Sequence, residues 1–182
     1  GINRAGTRLA WVPPQGGLMV GGPTASGATR VFDGEVVNHP TLSPAGTQAL
    51  WWYPVPGMYA GTAINRLTIG RPNVDGVSYV LASVTTHGWL GEQAIASFPG
   101  TQGRGTPSRI CTVGTSAETG GSSSCGRVVL SEPTGTLAFP AGSPDGTRIA
   151  AVVGEISDYG VGTGRLVEYT LGGTSRVISS SP

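Results

Sequence analysis

The sequence holds two histidines, His39 and His87, which are its best candidates for acid–base or metal chemistry. Both fall near the start of, or within, short β-rich runs, so both could face a shared channel. A metal site needs further ligands at a fixed spacing, and none accompanies either histidine. The chain has no G-x-S-x-G nucleophile elbow and no phosphate-loop or dinucleotide fingerprint. The sequence therefore predicts no catalytic residues, no metal and no cofactor, and it leaves the two histidines as candidate binding residues.

Two loops repeat one order of residue types, in which a tyrosine is followed by small residues. They are residues 58–61 (MYAG) and residues 158–162 (DYGVG). Aromatic side chains on loops are common binding anchors, so Tyr59, Asp158 and Tyr159 join the candidate binding residues. The alternative interpretation is that these loops simply pack on a neighbouring structural unit.

The charge balance limits the class of partner. There are 11 basic and 10 acidic residues, for a formal net charge of +1. Binding to nucleic acid or to an anionic membrane surface would need clustered cations, so we expect no nucleic-acid partner. No apolar run approaches the roughly 20 residues of a membrane-spanning helix, and we expect no membrane span.

The two cysteines, Cys111 and Cys125, bracket a loop rich in glycine, serine and threonine. A disulfide there would restrain a segment with few apolar residues, and in the chain-entropy model it would contribute about 3 kcal/mol. Such a pair favours an oxidising compartment, either secreted or in the cell envelope. The alternative is two unrelated buried thiols.

A repeat organises the chain. Residues 6–11 (GTRLAW) match residues 46–51 (GTQALW) and 146–151 (GTRIAA), with a weaker copy at 91–96 (GEQAIA). The copies are separated by 40, 45 and 55 residues, the spacing of propellers and solenoids. The segment bracketed by the cysteines explains the longest interval.

A tight turn precedes two of the copies. Proline presets φ, aspartate can bond its own backbone, and glycine accepts a positive φ. Such a turn between two β-rich runs predicts a hairpin. The structural turn residues predicted in this way are Ser43, Pro44, Gly46, Ser143, Pro144, Asp145 and Gly146.

Each full unit reads as four strands, because two further runs follow the hairpin and alternate apolar with polar residues. No window shows helical periodicity. The sequence predicts an all-β protein, a β-propeller of four-stranded antiparallel blades with about four blades present. The units are residues 1–37, 38–82, 83–131 and 132–182, in one domain or fragment whose first unit opens at its second strand and which therefore has about fifteen strands.

Residues 143–150, followed by 166–173 and 176–178, resemble the TolB-like propeller repeat (PD40, or WD40-like). The shared pattern is an SPDG turn, a basic-aliphatic strand, a strand that ends in Gly-Gly, and a short fourth strand. Propellers of this family have six blades, so the resemblance implies that this chain is part of a larger ring, is completed by a second chain, or closes as a small four-bladed form.

The resemblance implies a scaffold that binds protein or peptide partners through loops and a central channel. Our first hypothesis is thus a non-enzymatic extracytoplasmic propeller that binds a protein, peptide or glycan on one face. Similar repeats form non-catalytic domains of prolyl-oligopeptidase-like hydrolases, and also sugar-directed lyases, so a propeller domain of a secreted hydrolase or lyase is the second hypothesis. The third is a structural protein that assembles through open blade edges.

Overall fold

The computed structural model describes residues 1–34, 36–54, 61–70, 76–81, 86–98, 107–113, 125–133, 135–157 and 160–180. Over these residues the backbone forms β-strands and turns, with no helix. The strands in chain order are β1 (Leu9–Trp11), β2 (Leu18–Gly21), β3 (Thr29–Phe32), β4 (Asn38–Leu42), β5 (Gln48–Pro54), β6 (Gly61–Thr68), β7 (Gly76–Leu81), β8 (His87–Leu90), β9 (Gln93–Phe98), β10 (Ser108–Val113), β11 (Cys125–Glu132), β12 (Thr136–Gly142), β13 (Arg148–Ser157), β14 (Gly160–Thr170) and β15 (Ser175–Ser180).

The strands form four antiparallel sheets in which chain neighbours are also sheet neighbours. Blade 1 contains β1–β3, blade 2 contains β4–β7, blade 3 contains β8–β11 and blade 4 contains β12–β15. Short connections suffice for such meanders. The all-β fold and its four-stranded antiparallel blades are as the sequence predicts, and the arc of blades is not closed.

Blade 1 departs slightly from the prediction that it opens at its second strand. Ile2 forms an isolated antiparallel bridge with Leu9, and the carbonyl of Gly1 accepts the N–H of Ala10 at 2.8 Å. The residues before β1 thus make first-strand contacts, although they are too few to count as a strand.

Apolar side chains on both faces of β5 hold the blades together, because successive residues of a strand point to opposite faces. Trp51 is fully buried and packs with Ala10 and Leu18 of blade 1. Leu50 is fully buried in a separate cluster with Trp89 of blade 3. Both faces of this blade are therefore core, as expected of a propeller and not of a half-solvated sheet.

Blades 3 and 4 pack through a third apolar cluster. Ile95 and Ile110 of blade 3 contact Ile149 and Val153 of blade 4. Three interfaces between consecutive blades thus supply the core, and truncating a fully buried leucine or isoleucine in any of them to alanine should cost about 2–5 kcal/mol.

The turns after the first strands are built alike. In blade 2 the N–H of Gly46 donates to the carbonyl of Ser43 at 2.8 Å. In blade 4 the N–H of Gly146 donates to the carbonyl of Ser143 at 3.0 Å. Gly46 and Gly146 have φ angles of 72° and 75°. This backbone conformation is strained for a residue that carries a side chain. Pro44, Pro144 and Asp145 lie inside these two turns.

The Asp145 carboxylate accepts three hydrogen bonds within its turn. It accepts the Ser143 hydroxyl, and it accepts the Thr147 N–H at 3.0 Å and the Thr147 hydroxyl at 2.8 Å. These bonds, the one from Ser143 foremost, lower the pKa of Asp145 to about 2.

Blade 1 has an equivalent turn that sequence comparison missed. The side-chain oxygen of Asn3 accepts the N–H groups of Thr7 and Arg8 at 2.9 and 2.8 Å, and the N–H of Gly6 donates to the Asn3 carbonyl at 3.0 Å. The Asn3 side chain thus accepts backbone N–H groups of its turn, as the Ser43 and Ser143 hydroxyls do in blades 2 and 4. The Asn-x-x-Gly pattern of residues 3–6 is the sequence feature that could have predicted this turn.

The turns also link neighbouring blades. The N–H of Arg4 donates to the carbonyl of Pro44 at 3.2 Å, and the N–H of Gly91 donates to the carbonyl of Ser143 at 3.0 Å. Between blades 2 and 3 the Glu92 carboxylate accepts a backbone N–H at 2.7 Å. Each blade interface therefore has a polar link at its turn end in addition to its apolar cluster.

Blade 3 has the shortest of these turns. Gly88, Trp89 and Leu90 belong to β8 and pair with β9. The turn consists of Gly91, with φ of 56°, and Glu92, because Leu90 pairs directly with Gln93.

The predicted disulfide is present. Cys111 lies in β10 and Cys125 begins β11, and the two are bonded with a Cα–Cα distance of 5.2 Å. The bond joins two adjacent strands of blade 3 across the segment that lengthens this unit.

Candidate functional site

The first strands of the blades approach one another closely. A Cβ atom on Gly88 of β8 would lie 2.0 Å from the carbonyl oxygen of Pro140 in β12, and one on Gly142 of β12 would lie 2.4 Å from the carbonyl oxygen of Trp89 in β8. Only glycine allows backbones to meet at this distance. We call β4, β8 and β12, the first strands of blades 2, 3 and 4, the inner strands; β8 also contacts β4, where the indole N–H of Trp89 donates to Thr41 Oγ1 at 3.1 Å.

Two inner strands carry the same bulge. In β4 the pairing register shifts between Asn38 and Thr41, and in β12 it shifts between Ala138 and Ala141. A bulge leaves a residue unpaired and turns its side chain in a new direction. The two bulges occupy equivalent places in their blades.

The bulged residues His39 and Phe139 have unusual backbone conformations. Their φ angles are 48° and 51°, and each precedes a proline. Positive φ is uncommon for residues other than glycine, and such conformations cost about 1–3 kcal/mol and cluster at functional sites. Both side chains are exposed, Phe139 to 51%.

The His39 ring does not stand alone. It stacks on the indole of Trp52 in β5, with ring centroids 5.9 Å apart and planes 20° apart. Trp52 is half-buried, and its indole lies against one face of the imidazole. The pair forms a flat aromatic platform at the start of blade 2.

His87 binds the backbone of His39. Its Nε2 lies 2.9 Å from the His39 carbonyl oxygen, which can only accept, so Nε2 carries the proton and donates it. The other nitrogen, Nδ1, is sealed from solvent and has no hydrogen-bond partner. Desolvation by burial lowers the pKa of His87 to about 4, although the bond to His39 opposes this shift. His87 is therefore a neutral donor at physiological pH.

A hydroxyl pair holds the second bulge in place. Thr86 Oγ1 accepts the N–H of Phe139 at 2.6 Å and lies 2.7 Å from Ser97 Oγ. The Ser97 hydroxyl in turn donates to the Thr86 carbonyl at 3.2 Å. Blade 3 thus fixes the bulge of blade 4 through Thr86 and that of blade 2 through His87.

The described residues of this site include groups that can bind a ligand. Over the described ranges neither histidine bonds to a serine, a threonine or a carboxylate, so no nucleophile–base pair is formed. The same residues contain no group of three or more His, Cys, Asp or Glu that could hold a metal ion. The site offers two exposed rings, one supporting indole and a rigid backbone.

The structure brings His39 and His87 together, as their predicted positions in inner strands allowed. Tyr59, Asp158 and Tyr159 lie outside the described residues. Sequence reasoning missed Trp52, Thr86 and Phe139 as members of the site. The signal for Phe139 was its alignment with His39, since both stand directly before the proline in equivalent segments.

No protein-family model matches the sequence, and no curated protein matches it significantly. Solved structures do share its fold. TolB from Acinetobacter baumannii is 14% identical, with a TM-score of 0.64 over 99% of this chain and 42% of that one. An acylaminoacyl peptidase from Pyrococcus horikoshii is 11% identical, with a TM-score of 0.65 over 97% of this chain and 31% of that one.

The β-propeller domain of the Trilobed protease from Pyrococcus furiosus is 11% identical, with a TM-score of 0.63, and the match covers 97% of this chain and 54% of that domain. That propeller domain has an open velcro topology. This chain thus spans 31% to 54% of the length of the three structures. Identities this low show the fold alone, and membership of the TolB-like repeat family stays a prediction. The chain has the fold of a β-propeller, which it shares with TolB and with the propeller domains of peptidases.

Proposed function

We propose that this chain is a non-enzymatic binding module that holds a protein or peptide partner on the surface formed by His39, Trp52 and Phe139. The observation that carries the proposal is the pair of equivalent bulges, each of which presents an exposed ring on a strained backbone. We call these three residues the inner-strand surface.

Exposed rings on a rigid support suit the recognition of a polypeptide. Aromatic anchors dominate many protein interfaces because they bury much area while losing few rotamers. Blade 3 holds each bulge by one hydrogen bond, that of Phe139 through Thr86 and that of His39 through His87, so little ordering is required when a partner binds. Preorganisation of this kind favours affinity.

We further propose that the module works outside the cytoplasm. The disulfide between Cys111 and Cys125 supports this, since such bonds persist in oxidising compartments. Within the described residues there is no helix with the length and apolar character needed to cross a bilayer. We propose residues 1–182 as a single propeller domain or fragment, with the predicted candidates Tyr59, Asp158 and Tyr159 extending its binding loops.

A peptide selection tests the proposal. A displayed library of random peptides would be selected against the wild-type chain, and the enriched peptides would be titrated against His39→Asn and Phe139→Asn. Asparagine tolerates positive φ, so each variant removes the ring and keeps the bulge. We expect affinity to fall about tenfold or more, the effect of losing one anchor at about 1.4 kcal/mol.

The matched control is Val128→Asn, which changes a side chain of similar exposure (45%) on β11, away from the inner strands. It should leave peptide affinity unchanged. If no peptide is enriched, or if the enriched peptides bind all variants equally, the inner-strand surface is not the binding site. A glycan array run in parallel would contradict the polypeptide assignment if sugars alone bound. Ester or glycoside turnover that His39→Asn abolishes would make the chain an enzyme domain instead.

A second candidate function is assembly with another chain that extends the ring. The face of blade 1 turned away from blade 2 carries Ile2, Leu9 and Trp11, which share one side of the sheet. Ile2 is 59% exposed, and exposed apolar rows mark interaction surfaces. Sedimentation at micromolar concentration tests this idea. A strict monomer whose mass is unchanged by Ile2→Glu would exclude self-assembly.

A further inference from the structure

The two bulges of the inner-strand surface belong to blades that have one blade between them. His39 is the bulged residue of β4 in blade 2, and Phe139 is the bulged residue of β12 in blade 4. The strand between them, β8, pairs with β9 through all four of its residues without a register shift. The surface therefore has one exposed ring on each side of a regular strand.

The middle strand touches both of its neighbours. Towards blade 4, a Cβ atom on Gly88 would lie 2.0 Å from the carbonyl oxygen of Pro140, so the two backbones are in contact. Towards blade 2, Trp89 Nε1 donates to Thr41 Oγ1 at 3.1 Å. The three inner strands thus lie side by side, and no further element separates the two bulges.

The start of β8 limits the distance between the bulges. Thr86 Oγ1 accepts the Phe139 N–H at 2.6 Å, and His87 Nε2 donates to the His39 carbonyl oxygen at 2.9 Å. Thr86 and His87 are consecutive, so their Cα atoms are about 3.8 Å apart. Through two side chains of ordinary covalent length, the Phe139 nitrogen and the His39 oxygen can be no more than about 16 Å apart.

A short polypeptide segment can reach from one ring to the other. Each ring centre lies within about 6 Å of the backbone atom just named, so the two centres are at most about 27 Å apart. An extended chain covers about 3.3–3.6 Å per residue, and about eight residues span the greatest separation that these bonds permit. When two anchors are joined by a spacer of matching length, the second contact forms at a high effective concentration.

We propose that one extended polypeptide segment binds both bulges at once, with one aromatic side chain on the ring of His39 and a second on Phe139. The two aromatic residues of this partner are no more than about eight positions apart. We call this arrangement the two-point attachment. It rests on the proposed function and adds to it the class of segment that the inner-strand surface takes.

Aromatic anchors suit both ends of the two-point attachment. Phe139 is 51% exposed, and aromatic rings pair favourably in offset-stacked or edge-to-face arrangements. The indole of Trp52 lies against one face of the His39 ring, and His39 is exposed, so a partner ring can contact the imidazole. None of these three residues is an arginine or an acid, so the contact requires no charged ligand.

Synthetic peptides with two tyrosines test the two-point attachment. Each has blocked ends and a glycine–serine spacer between the tyrosines, of about two, four, six or eight residues, or of about twenty in one long peptide. Matched peptides carry alanine in place of one tyrosine or the other. Titration of the isotope-labelled chain, followed by amide NMR shifts, reports the affinity and shows which bulge is occupied.

We expect at least one peptide with a short spacer to shift the amides of both bulges together, with an affinity at least about tenfold above that of its one-tyrosine counterparts. The peptide with the long spacer should bind more weakly than the best short one, because effective concentration falls as a spacer lengthens. His39→Asn and Phe139→Asn should each lower the affinity of the best peptide to that of a one-tyrosine peptide and confine the shifts to the other bulge. Val128→Asn on β11 should change neither quantity.

The comparison of spacers uses the wild-type chain, so it does not depend on the folding of any variant. Equal affinity of one-tyrosine and two-tyrosine peptides at every spacer, with shifts at either bulge, would overturn the two-point attachment and leave the proposed function standing. A gain in affinity that appears only with the long spacer would also overturn it, because the rings would then lie too far apart. If no peptide shifts the amides of either bulge, the proposed function and the two-point attachment are both wrong.

Discussion

The neutral state of His87 makes the stability of the fold depend on pH. In an unfolded chain its imidazole binds a proton near pH 6.5, whereas in the folded chain burial lowers its pKa to about 4. Between these values the unfolded state binds more protons, so acid favours unfolding. The contribution of His87 is therefore fully present above pH 6.5 and is lost as the pH falls toward 4.

The size of this effect follows from the two pKa values. A difference of one pKa unit corresponds to about 1.36 kcal/mol, so the interval between 6.5 and about 4 gives a loss of about 3 kcal/mol. That is a large part of the 5–15 kcal/mol by which domains are usually stable. The ionisable group facing His87 across the inner strands is His39, whose charge adds to the cost of protonation.

Urea unfolding between about pH 7.5 and about pH 4.5 measures the effect through the midpoint at constant m-value. His87→Gln is the test variant, because its amide N–H can replace Nε2–H at the His39 carbonyl and does not titrate. The free energy of unfolding of this variant should fall less with decreasing pH than that of the wild type, by about 2.5 kcal/mol between pH 7.5 and pH 4.5. His39→Asn keeps His87 and should keep most of the slope. An identical pH slope in wild type and His87→Gln would refute the reasoning.

Three further predictions concern the framework. Ser143→Ala removes the strongest bond to Asp145, so the pKa of that carboxyl, followed by carbon NMR, should rise from about 2 toward 3.8; no movement would mean that the turn bonds do not set it. Removing both cysteines should lower the free energy of unfolding by about 3 kcal/mol, and a reductant should lower the melting temperature of the wild type but not that of the variant. Gly88→Ala places a Cβ 2.0 Å from the Pro140 carbonyl oxygen and should cost about 1–3 kcal/mol, whereas Gly173→Ala, whose nearest contact would be 3.5 Å, should be nearly neutral.

The fold was predictable because its signals are local. A proline, an aspartate and a glycine in order specify the turn of blade 4, and glycine at residues 46 and 146 satisfies a positive φ that sequence alone can anticipate. Alternating apolar residues mark the strands. The disulfide between the two cysteines could be predicted because the segment between them has few apolar residues that could order it by packing.

The candidate site was only partly predictable, since it depends on the register between blades. Nothing local makes His39 or Phe139 adopt a positive φ, and a residue before proline is normally extended. The Phe139 N–H donates to Thr86 Oγ1 and the His39 carbonyl accepts from His87 Nε2, and these partners lie 53 and 48 positions away along the chain.

The links between turns have a consequence for how the molecule comes apart. Over the described residues each interface is closed by one apolar cluster and by hydrogen bonds between the two blades, so coupling runs between nearest neighbours, as in a linear array of repeats. Blades 2 and 3 are coupled on two sides, and blades 1 and 4 on one side only. The arc should therefore fray from its ends inward, with amides of β5 and β9 exchanging with solvent more slowly than those of β2 and β14. A partner that docks on either open face would lengthen the array and slow exchange most in the blade it touches.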